Sequence, residues 1–323
     1  MRRLFSILMA LLPVALWAQF EPPAGVAGTT AIHADSSAFV AWATGCTVER
    51  GLQCIIRPNM GLANYGSDAD GLGKADNLVV SLGDGGIAVV TFPSPIYNGE
   101  GPDFAVFENS FAYDTDTTIY FLEFAFVEVS SDGENFFRFP AVSAIPTDTQ
   151  VGSFDGLKPE MVHNLAGKYA TFYGTPFDLD DLNDNPLLNK GRITHVRLID
   201  VVGNIDPEYA TYDSEGHIVN DPWPTPFGSS GFDLDAVGVI HDLAHNDVAE
   251  NETCNVVLYP NPVIKSLQVK AEGLRSVEVF NMVGQLVLTS VHEVVDMSGL
   301  LDGLYYVRIV SEGGSVTKRI VKQ

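Results

Sequence analysis

Leu78-Val79-Val80-Ser81-Leu82-Gly83-Asp84-Gly85-Gly86-Ile87-Ala88-Val89-Val90-Thr91-Phe92 sets two short runs rich in Val, Ile and Leu on either side of a Gly-Asp-Gly-Gly turn. Branched side chains pack well on a pleated surface, and runs this short suit strands better than helices. The pattern recurs at Phe104-Ala105-Val106-Phe107, Phe121 to Ser130, His195 to Val202 and Ala236 to Ile240, each bounded by Gly, Pro, Asn or Asp. Many short strands without helical periodicity between them predict an all-β chain built as a large sandwich of jelly-roll type. Only Ser36 to Ala43, behind Asp35 as an N-cap, reads as a helix of two turns.

Charge divides the chain. The whole sequence of 323 residues has a formal net charge of −23. Residues 255–323 carry 7 Lys+Arg against 6 Asp+Glu, whereas residues 19–254 carry 9 against 35, a balance of −26. Such acidity disfavours nucleic acid, which is bound by clustered Lys and Arg. The shift falls beside the polar stretch at 246–254, which reads as a linker between a domain at 19–245 and a smaller one at 255–323.

The amino terminus, Met1-Arg2-Arg3 followed by an apolar run to Trp17 and then Ala18, has the parts of a signal peptide over residues 1–18. Export makes a disulfide the expectation for the cysteines. Cys46 with Cys54 is the preferred pair, closing a loop of about 9 residues worth on the order of 2–3 kcal/mol. Pairings of either with Cys254 are the alternatives.

The tail alternates strictly: Tyr305, Val307 and Ile309 against Tyr306, Arg308 and Val310, with turns at Met282-Val283-Gly284-Gln285 and Leu301-Asp302-Gly303. A small antiparallel sandwich is the physical reading. Four motifs, Tyr259-Pro260-Asn261-Pro262-Val263, Val277 to Gln285, Met297-Ser298-Gly299-Leu300 with Gly303 to Val307, and Lys318 to Lys322, follow in order along it. In these the tail resembles the type A C-terminal sorting domain of the type IX secretion system. That resemblance implies a small Ig-like sandwich, a Bacteroidetes-type source and the secretion machinery as partner. It also implies cleavage of the tail, with the remainder held at the cell surface or released.

Catalytic signatures are absent from residues 19–245: there is no Gly-x-Ser-x-Gly elbow, no His-Glu-x-x-His pair and no phosphate loop. His241 and His245 are four apart but follow a strand and lack a third ligand nearby, so two solvated histidines is the better reading. The acids are patterned on turns and strand ends, where short carboxylates and backbone carbonyls suit Ca²⁺ with its roughly six to eight oxygen ligands. Asp103 precedes the strand at 104–107 and Glu108 ends it, while Asp233 and Asp235 open the last strand two residues apart, toward one face. A structural Ca²⁺ shared by Asp103, Glu108, Asp233 and Asp235, with Asp200, is one expectation. The rival is hydrogen bonding to turn amides with Arg197 or Arg192 as counterion.

Gly101 to Asn109, Val127 to Phe136 and Gly231 to Val237 also resemble segments of a family of uncharacterised Bacteroidetes cell-surface proteins, and Val127 to Phe136 is similar to discoidin-like, galactose-binding-like jelly rolls. This resemblance implies a structural Ca²⁺ and a ligand held by loops at one end. Asn220-Asp221-Pro222-Trp223-Pro224-Thr225-Pro226-Phe227 is the outstanding loop: its prolines stiffen a segment carrying Trp223 and Phe227 beside Asp221, with Tyr209 and Tyr212 as flanking aromatics. The alternative is that Trp223 and Phe227 seal the bottom of the sandwich. The expected function is a non-enzymatic, cell-surface β-sandwich that binds a glycan or another small extracellular ligand. A secreted glycan-active hydrolase and an accessory nutrient-capture subunit of an outer-membrane receptor are the alternatives.

Overall fold

Phe104-Ala105-Val106-Phe107-Glu108 alternates between two interiors. Phe104 and Val106 enter the main core between two sheets, while Ala105 and Phe107 pack on the opposite face beneath Phe39 and Trp42. A strand covered on both faces has no need of polar residues until its end, where Glu108 sits. The computed structural model describes residues 20–113, 116–245, 256–282, 284–311 and 314–323. The chain divides into two units between His245 and Asn246. The expected signal peptide at 1–18, the linker at 246–254 and Cys254 lie outside the described residues.

The larger unit is an antiparallel two-sheet sandwich. One sheet runs Ile32–His33, Tyr173–Phe177, Phe104–Glu108, Asp233–Val239, Ala41–Trp42, with Val80–Ser81 also paired to Asp233–Val239. The other runs Phe137–Arg138, Ala125–Ser130, Ile193–Asp200, Ile87–Ile96, Gly45–Glu49. Val80, Val90, Val106, Val127, Val196, Leu198, Leu234 and Val237 fill the space between them. Burial of one Val or Leu side chain contributes about 1.5–3 kcal/mol, so this layer dominates the stability of the unit.

Three local expectations fail. Ser36 to Ala43 is not a helix: it turns and enters the strand Ala41–Trp42, paired to Gly238 and Val239. An isolated helix of two turns has little stability of its own, whereas the sheet edge offers ladder hydrogen bonds. Asp35 pairs with Lys74 instead of capping. The Cys46–Cys54 bridge is not formed, and both thiols are free. Cys46 lies in the strand Gly45–Glu49 opposite Val90 and packs against the main core, while Cys54 is buried in the loop that follows. Phe121 to Ser130 is not one strand but two, Asp116–Phe121 and Ala125–Ser130, interrupted at Leu122-Glu123-Phe124.

Residues 256–323 form a small Ig-like sandwich with a three-stranded sheet (Val257–Tyr259, Ser266–Lys270, Val294–Asp296) and a four-stranded one (Leu286–Ser290, Leu274–Phe280, Gly303–Ser311, Gly314–Lys322). The alternation read in the sequence governs it: Tyr305, Val307 and Ile309 are buried with Val277 and Val279. On the outer face Arg308 stands opposite Glu278 in register and its Nη2 lies 2.6 Å from Oε2.

Candidate functional site

Antiparallel pairing gathers acids at one end of the larger sandwich. Glu108 ends its strand beside Leu234, the neighbour of Asp233, and Asp200 ends its strand opposite Ala125, just past Glu123. All four are buried. Asp103 lies at the other end of the five-residue strand, about 16 Å from Glu108 at strand rise. There it accepts from the Gly99 amide (2.7 Å) and the Leu179 amide (2.8 Å) and meets Nδ1 of His241 at 2.8 Å.

The five acids expected to share one ion therefore do not converge. Asp200 clasps two turns, accepting from Gly85 N at 2.9 Å and Phe232 N at 2.7 Å. Asp235 accepts from the amides of Asp76 (3.1 Å) and Asn77 (3.2 Å). A bulge between Leu234 and Ala236 breaks the alternation that would have aligned Asp233 with Asp235. Backbone amides thus hold Asp103, Asp200 and Asp235, the kind of partner the rival reading gave them. Among the described residues neither Arg197 nor Arg192 forms an ion pair with any of the five: the Arg197 Nε donates to Glu128 at 2.6 Å while the guanidinium lies 3.8 Å over the Phe136 ring. His241 and His245 pair separately, with Asp103 and Asp242.

Glu108 and Asp233 do meet, and Glu123 joins them. One carboxylate oxygen from each lies within 4.8 Å of the others. Asp233 is held by the Ser81 hydroxyl and by Asn109 Nδ2 at 3.2 Å. Glu108 Oε2 accepts from the Ser110 amide at 2.7 Å and from the Ser110 hydroxyl. Burial raises all three acids: Glu108 and Glu123 well above the usual carboxylate range, each raised further by Asp233, and Asp233 to about 6. Removing carboxylates from water disfavours their charged forms, and like neighbours add to it. Strongly perturbed acids in a cleft are a mark of functional sites.

Above them opens a cavity of about 210 Å³ with Asn109, Glu123 and Asp233 in its wall. Two aromatic pairs flank it. Phe111 and Phe121 stack at 5.2 Å between ring centroids, and Phe154 and Phe227 tilt together at 5.9 Å. Phe111, Phe154 and Phe227 remain 50%, 68% and 45% exposed, so their faces are offered to solvent. Ser153, Thr225 and Ser229 complete the lining.

The proline-rich loop places its two aromatic residues differently. Phe227 joins the cavity wall, while Trp223 is 9% exposed and its Nε1 donates to Asp84 Oδ2 at 3.2 Å. Asp221 is buried and accepts from the Phe124 amide at 2.8 Å. Tyr212 lines a separate shallow groove with Ile145, Pro146 and His217, and half-buried Tyr209 donates to Glu208 at 3.0 Å. Sequence reading missed Glu123, Phe111, Phe121 and Phe154. The signal for Glu123 was present: one acid amid Phe121, Leu122 and Phe124 has no place in a wholly apolar strand. The Phe154 side carried none, since Phe154 lies far along the chain from both Phe111 and Phe227.

No curated protein sequence matches the chain. Among solved structures it is similar to the b-glucuronidase from Ruminococcus gnavus, in complex with N1-substituted uronic isofagomine (10% identity, 88% of this chain, 44% of that chain, TM-score 0.17). The complex of that protein with D-glucuronic acid gives 10% identity, 86% and 46% coverage and a TM-score of 0.16. The chain thus spans less than half the length of these proteins. The four motifs of the tail find their counterpart in a family: residues 257–323 match the secretion system C-terminal sorting domain. The smaller unit is therefore a type IX sorting domain, and the chain that carries it is exported to the cell surface or the extracellular space.

Proposed function

We propose that residues 20–245 are a non-enzymatic binding module carried outside the cell by the sorting domain, and that the cavity between the aromatic pairs takes a glycan or a similar polyhydroxylated small ligand. The observation that carries this reading is the pairing of exposed Phe111, Phe154 and Phe227 faces with a polar floor of Asn109, Glu123 and Asp233. Aromatic faces offer contact area at low entropic cost, and a few converging polar groups orient a ligand. Sugars match both, with C–H faces to stack and hydroxyls to donate to carboxylates. A microarray of purified oligosaccharides, probed with the full-length protein and with Phe154→Ala, tests it. Binding that weakens in the variant supports the reading, and an array without any bound sugar overturns it.

The rival hydrolase reading gains from one observation, the raised acids Glu123 and Asp233 on one cavity wall. Two carboxyl groups about 5–5.5 Å apart serve retaining glycosidases. Turnover of a bound oligosaccharide, lost on Glu123→Gln with folding intact, would replace the binding reading by that one.

A further inference from the structure

We propose that Glu108, Glu123 and Asp233 hold one divalent cation, Ca²⁺ by the chemistry of the set, at the floor of the aromatic-walled cavity. The inference deepens the binding reading, because the ion would present open coordination positions to ligand hydroxyls. Three carboxylates with no ion among them would face one another across less than 4.8 Å. Ca²⁺ binds oxygens at roughly 2.3–2.6 Å, so two ligands of one ion stand no more than about 5 Å apart, and the three oxygens lie within that limit.

A second observation points the same way. Glu108 is 1% exposed, and while its Oε2 is engaged by Ser110, its Oε1 has no hydrogen-bond partner among the described residues. A buried carboxylate oxygen without a donor is costly to keep, and buried charges are normally paired or bound to metal. Among the described residues no side-chain cation forms an ion pair with the three: Arg50, whose charge favours ionised Asp233 from a distance, has its guanidinium spent on the carbonyls of Tyr65 (2.7 Å), Gly66 (2.8 Å) and Ser81. Glu123 and Asp233 also line the cavity, so an ion between them is reached from solvent. Of the five ligands expected from the sequence, Glu108 and Asp233 stay in this set and Glu123 joins them, while Asp103, Asp200 and Asp235 fall outside it.

Isothermal titration of CaCl₂ into the chelator-treated full-length protein at pH 7.5 tests the inference. One site is expected, together with a rise in Tm of about 5–10 °C at a hundredfold excess over Kd. Glu123→Gln and Asp233→Asn should each weaken binding at least tenfold, while Glu134→Gln, an exposed acid outside the cluster, should not. If Glu123→Gln fails to fold by circular dichroism, Asp233→Asn carries the test. Absence of Ca²⁺ binding, or binding unchanged in a folded cluster variant, overturns the inference. Ca²⁺ uptake by the cluster in a protein that binds no sugar would leave the cation site standing and remove the glycan reading. Sugar binding without any Ca²⁺ uptake would do the reverse.

Discussion

Replacing Trp223 by Ala separates structural from ligand-binding roles in the proline-rich loop. Trp223 is 9% exposed and its indole N–H, at 3.2 Å, is one of two donors to Asp84 Oδ2, the other being the Ile55 amide at 2.7 Å. Truncating a buried Trp costs about 3–5 kcal/mol through lost transfer energy and the cavity left behind. Loss of the indole donor lies within that figure, because Ile55 still satisfies the carboxylate. For a domain of this size each kcal/mol lowers Tm by about 2–4 °C, so a fall of about 10 °C is expected. Thermal unfolding followed by far-ultraviolet circular dichroism, without ligand and in chelator, reads it directly. Phe227→Ala, at 45% exposure, should shift Tm by no more than about 2 °C in the same assay. A Trp223→Ala protein that melts with the wild type would instead make the indole a free loop residue with no structural part.

Three further outcomes follow from the same contacts. With Cys46 and Cys54 both free, dithiothreitol should leave Tm unchanged, and Cys46, whose thiol burial pushes up to about 12, should resist maleimide at pH 7.5 until the protein unfolds; a Tm lowered by reduction would restore the bridge. His163 and Lys168 hold the Glu21 carboxyl well below its ordinary 4.5, so its contribution is present above that pH and lost as pH falls. Glu21→Gln should therefore destabilise at pH 7, and in urea unfolding the difference from the wild type should narrow as pH falls below 4.5 but still be measurable at pH 3. Glu128 pairs with both Arg138 (2.9 Å) and Arg197, so Glu128→Gln should cost about 1–3 kcal/mol, whereas an exposed acid such as Glu134 should cost less than about 0.5.

Strand content was legible wherever burial dictated residue type. Period-two alternation in Tyr305 to Ile309 marked the buried face of the tail, and the unbroken apolar run Phe104 to Phe107 marked a strand covered on both sides. Short elements were not legible, because Ala41–Trp42 owes its form to pairing with Gly238 and Val239 and not to its own sequence. The acids show the same divide. Their placement on turns and strand ends was readable, but which of them meet depends on register: one bulge sends Asp235 to the amides of Asp76 and Asn77, and strand direction sends Asp103 to the far end. Part of the charge that looks like cation-binding loops instead clasps backbone amides, in Asp84, Asp103, Asp200, Asp221 and Asp235. The cavity walls came from segments too distant in sequence for any pattern to join them.

The cavity between the two aromatic pairs, in the function we propose, binds an extracellular sugar. Affinity for the strongest oligosaccharide on the array, titrated into wild type and Phe154→Ala by calorimetry, tests it most directly. Phe154 is 68% exposed, so its loss should leave Tm within about 2 °C while weakening binding by about 2- to 12-fold, the worth of one stacking face. Equal affinity in the two proteins would contradict the account.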